Sequence, residues 1–175
     1  MGSPYGGDMI LVYTGNGKGK TSACLGQVVR ALGCGLEPAF VQFIKIDGEA
    51  GEQAYLKKTL GDKFYAGGIG FFLSEDERPR HTEAANETLG KARSLLRSSD
   101  VLIADEILYA LSMELLKLED VISLITEANT LGKHLVLSGR GFPESLDCYA
   151  DCITDLQEVK HPWKKGAAAV RGIDF

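Results

Sequence analysis

Thr14-Gly15-Asn16-Gly17-Lys18-Gly19-Lys20-Thr21-Ser22 sets alternating glycines in front of a lysine and two hydroxyls. Glycines at that spacing let successive backbone N–H groups turn toward one anion. A helix starting near Lys20 adds its positive end. Lys20 can reach phosphate oxygens, and Thr21 can place its hydroxyl on Mg²⁺. The general pattern G-x-x-x-x-G-K-[ST] is met at Gly19-Lys20-Thr21, while Thr14 stands at its first glycine position. Thr14 to Ser22 are therefore expected to bind a nucleoside triphosphate. Asp105 and Glu106 follow the apolar run VLIA (101–104) and offer carboxylates for Mg²⁺ or its waters. Asp105 would otherwise suit a helix N-cap. Arg140, in Ser138-Gly139-Arg140, either contacts phosphate or holds its loop by a salt bridge. Lys160 and His161 either join the same edge, or His161 braces the turn at Pro162. A second glycine cluster, Gly67, Gly68 and Gly70, leads into Phe71, Phe72 and Leu73. On spacing alone these three read as core residues ahead of the charged stretch 74–80. The phosphate loop and the acidic pair imply a nucleotide and Mg²⁺. They do not say which bond breaks, because ATPases, kinases and other transferases share them.

Elements must hold these groups at one edge. MILVYT (9–14), AFVQFI (39–44), VLIA (101–104) and LVL (135–137) are short apolar runs that read as buried parallel strands. CITDL (152–156) is a fifth candidate, and 167–175 either a last strand or an ordered tail. Helical spacing marks 21–32, closed by Gly33; 83–97; and the stretch around Val121, Ile122, Ile125 and Ala128, stopped near Gly132. Pro143 suits the start of a short helix. Strands alternating with helices predict an α/β domain with a mostly parallel sheet of five to six strands, covered by helices on both faces. Ligands of such sheets sit at the carboxyl ends of the strands. Residues 1–8 read as a tail of the kind added in cloning, and 9–175 as a single domain.

With 24 acidic against 19 basic residues, the net charge of −5 disfavours nonspecific nucleic-acid binding. No apolar run approaches the roughly 18 residues of a membrane span. Cys24, Cys34, Cys148 and Cys152 lack Cys-x-x-Cys spacing. Cys148 and Cys152 are four apart, yet they read as plain buried thiols of a reduced, cytoplasmic protein. Glycine is in excess, 21 of 175 residues against about 7% on average. The excess is expected in ligand-binding loops, with Gly67, Gly68 and Gly70 loosening one of them.

TGNGKGKT (14–21), VQFIK (41–45), GE (51–52), GIGF (68–71), ADEILYAL (104–111), SGRGFP (138–143), ADCITDL (150–156), VKHPWKKG (159–166) and GIDF (172–175) occur in this order. Together they resemble the ATP:corrinoid adenosyltransferases over about residues 9–175. That resemblance implies a phosphate-loop fold, the substrates ATP and a reduced corrinoid, Mg²⁺, a reductase partner and a homodimer. It implies that Co(I) attacks C5′ of ATP and that triphosphate leaves whole. By the same resemblance Asn16 to Lys20 line the phosphate site, and Thr21 and Glu106 face Mg²⁺ with Asp105 behind them. Phe71 enters as an apolar wedge beneath the corrin, where it would displace the lower axial ligand of cobalt and exclude water. Ligand identity and burial are general levers on metal potential. The family often has tryptophan two residues after that aromatic; this chain has Leu73, with Phe72 as the alternative second half of the wedge. Relatives often carry a longer segment before the first strand that can cover the site. The alternatives are an ATPase or kinase cleaving the β–γ bond, and a nucleotide- or corrinoid-binding carrier.

Overall fold

A computed structural model describes residues 7–71, 74–161, 166 and 168–173. Its sheet has six strands: β1 (Ile10–Thr14), β2 (Pro38–Gln42), β3 (Phe64–Ala66), β4 (Val101–Asp105), β5 (His134–Ser138) and β6 (Cys152–Asp155). They lie in the order β3-β2-β4-β5-β1-β6, and every pairing is parallel. The helices are α1 (Lys20–Gly33), α2 (Gly51–Leu60), α3 (Arg78–Arg97), α4 (Ile107–Ser112) and α5 (Leu118–Leu131).

The twofold alternation of strand side chains divides the core. Ile10, Val12, Ala39, Val41, Leu102, Ala104, Leu135 and Leu137 pack with buried residues of α3, α4 and α5. Phe40, Val101, Ile103 and Val136 pack on the other face, with Cys24, Val28 and Ala31 of α1 and Leu56 of α2. Both faces of the central strands are thus covered, which is why they read as unbroken apolar runs.

Several expectations shift. Helix α1 runs through Gly33 and ends on Gly35, whose φ is 74°. Leu36 N–H then bonds the Ala31 carbonyl, and Gly35 N–H that of Leu32, as in a Schellman cap. At Gly132 the same closure occurs where it is expected. Helix α3 starts at Arg78 rather than Glu83, because Pro79 falls in its first turn, where no N–H is needed. The short helix after Pro143 is a 3-10 segment, Glu144–Tyr149. Residues 168–173 form no strand. Cys24 is buried, but Cys34, Cys148 and Cys152 are exposed. Cys148 lies on the 3-10 segment and Cys152 on β6, an edge strand exposed along its whole length.

The second glycine cluster does not loosen its loop. Gly67 N–H bonds the Gln42 carbonyl and Gly70 N–H the Ile44 carbonyl, both at 3.0 Å. A Cβ on Gly68 would stand 2.0 Å from the Ile44 carbonyl carbon. Here glycine permits backbone to pack on backbone, and the chain leading to Phe71 is pinned to the end of β2.

Candidate active site

The carboxyl ends of β1, β2, β4 and β5 open on a cleft of ≈570 Å³. Residues 16–22 form one wall; Ile44, Lys45 and Glu52 lie after β2; Glu106 and Tyr109 follow β4; Arg140 follows β5. Phe71 and His161 complete it together with residues 172 and 173.

The phosphate loop joins β1 to α1. Gly19, at the N-cap with φ 118°, makes no side-chain cap, so the first-turn N–H groups of α1 remain for an anion. Lys20 is buried, and its ammonium donates to the Gly15 and Gly17 carbonyls at 2.8 and 2.9 Å. Burial, with Arg140 adding to it, holds Lys20 below the ordinary lysine range against the pull of Glu106, Asp105 and Asp155. Thr14 is buried at the strand end and does not line the cleft. Gly15 faces a smaller hollow shared with Asn16, Arg140, Asp155, Gln157 and Glu158. Gly17 N–H donates to the Leu156 carbonyl at 2.6 Å, and a Cβ on Gly17 would lie 2.5 Å from that oxygen. This glycine is therefore required by the segment after β6, against which the loop packs, rather than by an anion alone.

Asp105 ends β4 fully buried. It accepts from Ser138 Oγ at 2.7 Å, from Gln42 Nε2 at 3.1 Å and from Thr21 Oγ1 at 3.1 and 3.2 Å. Its oxygens are occupied by protein donors, and its contact with Thr21 fixes that hydroxyl. It is not a helix N-cap: the cap position of α4 is Glu106. Glu106 has φ 63°, a left-handed backbone that costs a non-glycine residue about 1–2 kcal/mol. The turn brings Glu106 to the cleft, where its carboxylate makes no hydrogen bond or ion pair among the described residues. Burial and then neighbouring Asp105 raise its pKa above the ordinary glutamate value, outweighing Lys20, Lys45 and Arg140.

Thr21 and Glu106 thus present hard oxygen donors beside a phosphate loop, a set that fits Mg²⁺. No cluster of three or more His, Cys, Asp or Glu suited to a metal occurs among the described residues.

Arg140 is exposed on the cleft and forms no salt bridge among the described residues. Phe71 is 71% exposed, so it is not a core residue. Its ring meets Tyr109 edge to face at 6.5 Å between centroids. Phe72 and Leu73 lie outside the described residues, as do Pro162–Lys165. His161 lines the cleft, whereas Lys160 is not on its wall.

Sequence reasoning assigned no role to Lys45, Glu52, Gln42 or Tyr109. Lys45 donates to Glu52 Oε1 and to Thr21 Oγ1. Burial opposes the Lys45 charge, but Asp105, Glu52 and Glu106 together raise its pKa. Gln42 donates to Asp105 and Glu52 and accepts from Gln53 of α2. VQFIK and GE carried these residues as motifs without a function.

The family profile described as ATP:corrinoid adenosyltransferase BtuR/CobO/CobP matches residues 7–175. A corrinoid adenosyltransferase of Sinorhizobium sp is 34% identical over 171 residues, covering 95% of this chain and 80% of that one. A Pseudomonas aeruginosa corrinoid adenosyltransferase is 35% identical, with coverages of 95% and 83%. The corrinoid adenosyltransferase CobA of Salmonella typhimurium is 34% identical, with 95% and 85%. Among solved structures, the flagellar accessory protein FlaH of Methanocaldococcus jannaschii superposes with a TM-score of 0.56 at 14% identity, covering 85% of this chain and 70% of that chain. This last likeness concerns the fold alone.

Proposed function

Since the chain belongs to the ATP:corrinoid adenosyltransferase family and so adenosylates corrinoids with ATP, we propose that its cleft holds the triphosphate as a leaving group. Co(I) of the reduced corrinoid gives an electron pair to C5′ of ATP. The cobalt–carbon bond forms, the C5′–O5′ bond breaks, and triphosphate departs with that bond's electrons. The observation that carries this reading is the arrangement of one cleft: buried Lys20 on the phosphate loop, Glu106 with no side-chain partner among the described residues, and the exposed ring of Phe71 on its wall.

Asn16 to Ser22 bind the phosphates through their backbone N–H groups other than that of Gly17, which Leu156 takes, and Lys20 neutralises charge that grows as the bond breaks. Arg140 supplies a second cation. Thr21 and Glu106 hold Mg²⁺, and Asp105 keeps the Thr21 proton turned away from the metal side. Mg²⁺ supplies charge neutralisation of the triphosphate when bound. Phe71 faces the corrin and excludes water from its lower side, with Tyr109 supporting the ring. The enzyme works in the cytoplasm as a homodimer, and a reductase supplies the electron; family membership supports these three statements.

Anaerobic incubation with MgATP and chemically reduced cobalamin tests the reaction. A cobalt–carbon product and intact triphosphate are expected, whereas ADP and phosphate would mean β–γ cleavage and sink the reading. Phe71→Ala should lose about tenfold or more in rate when the corrinoid is offered as Co(II) with a mild reductant. The loss from preformed Co(I) should be several-fold smaller, and equal losses would make Phe71 a packing residue.

Glu106 sets a pH dependence. A carboxyl with raised pKa stays neutral at pH values where ordinary glutamate is already charged. Metal holding needs the carboxylate, so at limiting Mg²⁺ kcat/KM should fall as pH drops toward that raised value, above the ordinary pKa of about 4.3, and saturating Mg²⁺ should move the fall to lower pH. An acid limb that does not move with Mg²⁺ concentration would remove Glu106 from the metal role.

A further inference from the structure

Lys45 follows β2 and stands where phosphate loop, β4 and α2 meet. Its ammonium donates to Thr21 Oγ1 at 3.2 Å and to Glu52 Oε1 at 2.5 Å, and lies 3.8 Å from Asp105 Oδ2. The Thr21 hydroxyl has one proton, and that proton goes to Asp105. Its oxygen is therefore the acceptor for Lys45. A divalent cation held by Thr21 would use that same oxygen, beside an ammonium already in place. The two cations compete for one atom and for one carboxylate field.

Glu52 makes the competition reversible. It sits in the first turn of α2, where Gln42 donates to it at 3.2 Å. Gln42 in turn is bonded to Gln53, which gathers Ile46, Gly48 and Ala50 of the β2–α2 loop. The ammonium thus has a fixed second anchor when Thr21 lets it go.

We propose that Lys45 is a built-in stand-in for the divalent cation: it occupies the Thr21 hydroxyl in the nucleotide-free enzyme and yields it to the ion that arrives with the triphosphate, remaining on Glu52. The inference rests on Thr21 and Glu106 as the divalent site. Metal alone must displace an ammonium with no new anion to receive it. Metal with triphosphate brings that anion. Lys45 thereby couples metal binding to nucleotide binding, a positioning role rather than contact with the reacting carbon.

Lys45→Met keeps the stem and removes the charge. Mn²⁺ serves as the probe, with free Mn²⁺ followed by electron paramagnetic resonance, corrinoid absent. In Lys45→Met the nucleotide-free Kd for Mn²⁺ should tighten by about tenfold, with a smaller change when ATP is present, so the ATP–Mn²⁺ coupling shrinks. Lys45→Arg, which keeps a cation, should stay near wild type. If wild type binds Mn²⁺ with ATP but Lys45→Met shows unchanged or weaker nucleotide-free affinity, the inference fails alone. If wild type binds no Mn²⁺ even with ATP, the metal reading beneath it fails as well. Should Lys45→Met not fold, wild type carrying lysine labelled with ¹³C at Cε, which leaves the ammonium unmodified, gives a second readout. The Lys45 resonance, assigned by its loss in Lys45→Arg, must move further with MgATP than with ATP alone; an identical position in both overturns the inference.

Discussion

Lys20→Ala is expected to lower kcat/KM by about 10³-fold, on the order of 4 kcal/mol of transition-state stabilisation. The ammonium is already held by the Gly15 and Gly17 carbonyls, so it needs no reorganisation when the triphosphate starts to leave. It is buried, and its charge acts where water screens little. Part of the loss should appear as weaker ATP binding and part in kcat, because charge on the leaving group grows toward the transition state. Lys20→Arg should not restore activity, since a planar fork cannot satisfy two loop carbonyls and a phosphate from the same position. Anaerobic assays with preformed Co(I) measure this free of reduction, and thermal unfolding checks that the fold survives. Activity within tenfold of wild type would assign the triphosphate's charge to Arg140 or Lys18 instead.

The largest effect on stability is expected from Asp105→Ala. Its carboxylate has no exposed surface and receives Ser138, Gln42 and Thr21, with Lys45 at 3.8 Å. Truncation strands the donors of three elements and leaves a lysine charge without its inner counter-ion. Breaking a buried charged network in this way costs about 3–5 kcal/mol. For a domain of this size that is a fall in Tm of about 10 °C. Asp105→Asn keeps the shape and one acceptor and should lose less. Glu106→Gln provides the contrast, because the carboxylate of Glu106 bonds to none of the described residues. It should leave Tm within about 2 °C of wild type while activity falls by about 10²-fold. A stable Asp105→Ala would mean that the network is not what holds Thr21.

Much of this was legible in the chain. The phosphate loop was found because its glycines, lysine and threonine are consecutive. Strands β1, β2, β4 and β5 were found because burial on both faces leaves them uniformly apolar. Three elements escaped. Strand β3 has three residues, too few to show a period. Helix α2 buries only Gln53 and Leu56, so its apolar stripe is nearly absent. Helix α4 is mostly apolar, and without a polar face its six residues carry no helical signature. Cys34, Cys148 and Cys152 were misjudged because the end of α1, the 3-10 segment and edge strand β6 leave them exposed, which short stretches of sequence cannot reveal.

Local spacing determined the phosphate loop, the acidic pair and the parallel α/β frame, since each depends on neighbours in sequence. Partnership across the fold was decided only by tertiary structure. Asp105 turned out to be a hub saturated by Thr21, Gln42 and Ser138, and Glu106 the carboxylate left for the cleft. Gly17 and Gly68 are glycines because distant backbone, at Leu156 and Ile44, comes too close for a side chain. Lys45 and Glu52 became part of the site through the end of β2 meeting α2. Parallel strands put residues far apart in sequence side by side at one edge, and the hydrogen bonds among them exist only once the sheet has formed.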